Sequence, residues 1–171
     1  MSITLRVAPL VFVAAVFQVG AISGIRVLGA EPDVLLVTVV VVGLVAGSLA
    51  GAGAGFAGGI LFDSMTLGVL GTTSILLTLA GYWAGRYGET TGRGRSYAVP
   101  LAAFAISAAA SVGGVALHFL LGEQVSARDA LISLVPSALL AALLALPIHR
   151  LCRAFLTPAL DYERARPVEI L

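Results

Sequence analysis

Few side chains in this sequence can do chemistry, and they do not gather. Asp63 is the one charged residue with long apolar runs on both sides. A carboxylate at the centre of a membrane helix costs about 2.5–3.5 kcal/mol, so its presence needs a reason. Three reasons fit: a turn or helix cap at the outer membrane face, a buried pair or partner contact, or coupling to a proton or ion. The first is preferred: should the helix end near Leu61, Asp63 lies at the interface and opens a turn with Ser64, although the span itself is placed on past Asp63 toward Gly68. His118, His149 and the single cysteine, Cys152, show no metal-ligand spacing. His118 therefore reads as a hydrogen-bonded core or interface histidine. Serines and threonines are scattered, and no motif sets a base beside them, so no catalytic residue and no cofactor is expected. The run Gly53-Ala54-Gly55-Phe56-Ala57-Gly58 matches GxGxxG. A dinucleotide site, however, needs a strand–turn–helix unit and an acid about 20 positions on, and 64–88 contains none.

What does recur is glycine at four-residue spacing: Gly43, Gly47, Gly51, Gly55 and Gly59, with Gly20/Gly24 and Gly81/Gly85 elsewhere. That spacing lines one helix face and lets a second helix approach closely. A turn near 47–51 breaks the long series, which leaves Gly51, Gly55 and Gly59 on a shared face, with Gly58 beside them. Gly51, Gly55, Gly59, Gly81 and Gly85 are therefore candidates for helix packing or for a partner interface.

The elements that carry these residues must be membrane helices. Of 171 residues, 59% are hydrophobic and 11% charged, and mean hydropathy is +1.05. A soluble domain has about 45–50% apolar and about 25% charged residues, so this chain cannot cover a water-soluble surface. Disorder needs the opposite composition. A net charge of +1 makes no case for nucleic acid. Uncharged runs occupy 7–25, 34–62, 64–85, 96–122 and 130–149. Each is long enough to cross a ~30 Å hydrocarbon core as a helix, and none alternates as a barrel strand would. The run 34–62 is too long for one span and is least hydrophobic at 46–51, where a tight turn is expected. The expected architecture is an all-α polytopic membrane protein in one domain, with six spans near 7–25, 34–46, 49–67, 69–86, 97–121 and 130–150.

All ten basic residues are arginines. Six spans with the N-terminus inside put eight of them in the cytoplasm and leave Arg26 and Arg128 outside, as the positive-inside rule expects. A five-span alternative with the N-terminus outside divides the arginines equally well, and length favours six. Both place the 86–95 loop and the C-terminal tail in the cytoplasm. The first span resembles a secretory signal at Val19-Gly20-Ala21, but its apolar run exceeds a signal core. Tyr82, Trp83 and Tyr87 read as an interfacial aromatic belt. Pro136 and Pro147 are expected to kink or end the sixth helix.

Order and size then point to a family. Pro32-Asp33 opens an apolar helix, and a glycine-rich hairpin follows as Gly51-x3-Gly55-Phe56-x2-Gly59-Ile60-Leu61-x-Asp63. Leu67-Gly68 comes next, then a span ending Gly81-Tyr82-Trp83-Ala84-Gly85-Arg86. Together these resemble MreD, the small membrane subunit of the bacterial rod-shape system. The resemblance implies a six-helix fold similar to the substrate-binding subunits of energy-coupling-factor transporters. It implies a nonenzymatic role in the inner membrane: binding an MreC-like protein and supporting peptidoglycan synthesis and cell shape. Through that partner the elongation complex would include MreB, a RodA-type glycosyltransferase and a class B penicillin-binding transpeptidase. The alternative is a vitamin-binding transporter subunit. It would need polar groups converging on a pocket, for which Gln18, Glu31, His118 and Glu123 are the candidates, and the Ala-x3-Ala docking pattern is missing from the first span.

Overall fold

The computed structural model describes residues 3–22, 31–67, 69–91, 98–122 and 127–164. Arg26, Glu123, Gly24 and Gly68, named above, and 92–95 of the arginine loop lie outside the described residues. Six α-helices follow in order: α1 (Ile3–Phe17), α2 (Val34–Ala46), α3 (Ser48–Thr66), α4 (Thr72–Thr91), α5 (Ala98–Leu120) and α6 (Ala127–Arg164). A π-helical turn, Gln18–Ile22, extends α1.

The centre is α2. Valine and leucine fill it on every side, and every residue from Leu35 to Leu44 is buried. A helix that is apolar all round needs neighbours all round, and α1, α3, α4, α5 and α6 each pack on it. Its polar groups are answered locally. Asp33 Oδ1 accepts from Leu36 N at 2.8 Å, a helix N-cap, and Thr38 Oγ1 donates to Val34 O at 2.8 Å.

A single residue, Gly47, separates α2 from α3. Its φ of +104° belongs to glycine, and it turns the chain sharply enough to lay Gly51 against Gly43. The 46–51 stretch thus holds a one-residue turn. From Gly47, α3 and α4 form the most extensively packed pair, and α5 lies against α4 and α6.

The sixth helix departs from expectation. It neither ends near 150 nor stops at Pro136 or Pro147, but runs unbroken to Arg164. Hydropathy marks where lipid ends, and a helix continues as long as it finds something to pack on. Cys152 and Leu156 are both fully buried beyond the apolar run, and Arg6 Nη1 on α1 donates to Phe155 O at 3.1 Å. By length and composition, Ala98–Leu120 and Ile132–Leu156 are apolar enough to cross a membrane, and Arg6–Gly20 and Val34–Ala46 are shorter apolar helices. The outer surface carries exposed Leu49, Phe56, Trp83, Phe119 and Leu143.

Candidate functional site

The glycines meet each other along the α3–α4 seam. A methyl group added at Gly51 would stand on Gly81 O, and one at Gly81 on Gly51 O. At Gly55 it would meet the Leu77 carbonyl, at Gly59 the Ser74 backbone, and at Gly85 the backbone of Ser48. Four-residue spacing on both helices therefore lets two backbones touch directly, which is how small residues pack helices in lipid. Gly43 joins them, contrary to the expectation that the turn removes it. The reversal at Gly47 brings α2 alongside, so that a Cβ at Gly43 would lie 2.5 Å from Gly81 O. Ser74, buried in the same seam, donates to Phe56 O at 3.1 Å.

Each end of the seam is closed by a carboxylate. Asp63 is 3% exposed and lies within α3, which runs past it to Thr66, so it opens no turn with Ser64. Its Oδ2 accepts from Gly71 N at 2.7 Å, immediately before α4 begins. Asp63 thus satisfies an amide at the start of the next helix, while Ser64 Oγ donates back to Ile60 O. At the other end Glu89 Oε1 accepts from Ser48 N at 2.8 Å and Ser48 Oγ at 3.0 Å. Gly47 supplies no side-chain cap to α3, so the α4 glutamate performs that role. The Ser48 hydrogen bonds, and Arg86 at 3.4 Å, hold the Glu89 carboxyl below the usual glutamate range. Sequence reading missed Glu89, which follows the aromatic segment and looks like loop.

Gln18, named above only as a pocket candidate, sits on the π-helical turn. Its Oε1 accepts from Val34 N at 2.8 Å and its Nε2 donates to Pro32 O at 3.1 Å. One amide therefore ties the end of α1 to the start of α2. His118 is half-buried in the last turn of α5. Tyr82 and Trp83 are exposed and meet edge to face, with ring centroids 6.0 Å apart. Among the described residues no three His, Cys, Asp or Glu side chains converge as a metal set would.

The opposite side of α3 is open. A Cβ at Gly53 would meet nothing within 4 Å. Gly53, Ala50 and Ala57 line an apolar groove of about 360 Å³ between α3 and α1, with Phe12 and Leu61 at its edges. The glycines at 51, 55 and 59 are occupied by the chain's own α4, whereas toward α1 Gly58 meets Val11 but Gly53 and Ala57 stay exposed.

Comparison with curated proteins returned no match, and neither did comparison with solved structures. A family comparison matches residues 2–157, nearly the whole chain, to the rod shape-determining protein MreD. An all-helical chain with an apolar exterior and a glycine-packed helical hairpin is what that match covers, and the protein belongs to the MreD family of rod shape-determining membrane proteins.

Proposed function

We propose that this protein is a six-span, nonenzymatic subunit of the cell-elongation complex, holding an MreC-like protein in the inner membrane through helix–helix contact. The single observation that carries the reading is the family match over residues 2–157. The described residues add a place for the contact. The α1–α3 groove is floored by Ala50, Gly53 and Ala57, small residues that no described helix of this chain fully covers. Van der Waals packing between small-residue faces is the force available where lipid removes the hydrophobic drive. MreB, a RodA-type glycosyltransferase and a class B transpeptidase would then be reached through the partner, with both termini of this chain cytoplasmic. The spans would be arranged as in energy-coupling-factor substrate subunits.

The test is co-purification of an MreC-like protein with Gly53→Leu, a change made where space is open. Retained melting behaviour with loss of the partner is the expected result, together with rounding of cells depleted of the wild-type chain. Undiminished partner recovery, or depleted cells that keep their shape, overturns the reading.

A further inference from the structure

A different groove runs along the far side of α1, between α1, α2 and α6, with a volume of about 350 Å³. Its walls include Val13 and Phe17 of α1, Thr38 of α2, and Leu151 and Phe155 of α6, with Arg6 at one end. Thr38 Oγ1 donates to Val34 O, and with the buried Cys152 thiol it is all that interrupts an otherwise apolar lining. Its mouth differs. Arg6 donates one N–H to Phe155 O, and a guanidinium has five donors, so among the described residues others are left for a further acceptor.

The dimensions select an occupant. From Arg6 to Phe17 the helix rises about 16 Å at 1.5 Å per residue, close to half of a ~30 Å hydrocarbon core. The groove is therefore one leaflet deep with a cation at headgroup level. Val13, Phe17, Leu151 and Phe155 are exposed, so the groove opens sideways into lipid rather than into the core. We infer that this groove holds one acyl chain of an anionic phospholipid, whose phosphate is bound by Arg6.

Native mass spectrometry of the full-length protein, titrated with phosphatidylglycerol or phosphatidylcholine, tests the assignment. The wild-type chain is expected to retain one phosphatidylglycerol in preference to phosphatidylcholine, and glycerol 3-phosphate alone should not displace it. Arg6→Gln should weaken phosphatidylglycerol binding about fivefold, Arg6→Lys should restore it, and phosphatidylcholine binding should change in neither. Leu151→Trp and, from the opposite wall, Val13→Trp fill the groove from exposed positions and should weaken both lipids. Equal binding of the two lipids by wild type, an unchanged preference in Arg6→Gln, or unchanged lipid retention in both tryptophan variants overturns the inference. So does loss of an MreC-like partner from those variants with lipid binding intact, because a protein helix would then be the occupant.

Discussion

Ser48 and Glu89 lie 41 positions apart, yet the glutamate accepts from both the backbone N–H and the hydroxyl of the serine. A helix start leaves its first N–H groups without partners and carries partial positive charge. Glu89 answers both needs at the N-terminus of α3, from the neighbouring helix. Because these bonds favour the ionised carboxylate, its folded-state pKa lies below the usual value. The stabilisation is therefore complete above the ordinary glutamate range and is lost as pH falls through the lowered folded value. Wild type should melt above Glu89→Gln at neutral pH, and the gap should close on acidification. A pH series of thermal melts on both proteins in detergent checks this, and a gap that widens in acid contradicts it.

Gly53 and Gly55 make a paired test two residues apart. Gly55→Ala places a methyl group on the Leu77 backbone and should destabilise the fold by about 1–3 kcal/mol or more. Gly53→Ala meets open space and should be neutral or stabilising by up to about 1 kcal/mol through helix propensity. Denaturation midpoints of the two variants compare them directly.

For Asp63, the hydrogen bond to Gly71 N sets the order of substitutions. Asparagine keeps an acceptor and should cost least. Leucine leaves a backbone N–H without its partner and should cost about 1–3 kcal/mol. If asparagine proves as damaging as leucine, the carboxylate's charge, not its acceptor, is what the site requires.

Gln18→Leu removes both bonds to the Pro32–Val34 backbone, at roughly 1–3 kcal/mol for the two. Gln18→Glu keeps the acceptor for Val34 N and loses the donor to Pro32 O, so its loss should fall between wild type and leucine. Midpoints of thermal unfolding rank the three proteins.

Orientation is read with an introduced cysteine, because Cys152 is only 1% exposed and shielded wherever it lies. On a Cys152→Ser background, Arg93→Cys should resist an impermeant maleimide in intact cells and react once the membrane is opened. Labelling from outside reverses the proposed topology.

The glycine seam could be read from spacing alone, since Gly51, Gly55 and Gly59 and the pair Gly81/Gly85 repeat every fourth residue in adjacent segments. The register between them, Gly51 on Gly81 and Gly59 on Ser74, depends on three-dimensional contact and leaves no trace in either segment. Hydropathy located the break at 46–51 because small residues interrupt a valine run there. The same measure misjudged the ends of α4 and α6, since Glu89, Arg150 and Arg153 lower hydropathy without disturbing a helix. Asp63 was found because charge is rare in its surroundings. Glu89 was missed, and Gln18 was given the wrong role, because each acts on backbone groups distant in sequence, and backbone amides look alike in any sequence.

The one-residue link at Gly47 bears on how the chain is assembled. In the proposed six-span arrangement, α2 and α3 would have no loop to translocate between them and would leave the insertion machinery as a unit. α3 brings five glycines and Asp63, a poor candidate for entering lipid unaided, whereas α2 is almost wholly valine and leucine. The valine helix thus acts as escort for its glycine neighbour. Lengthening the link would uncouple them during biosynthesis, before any folded contact exists to be lost.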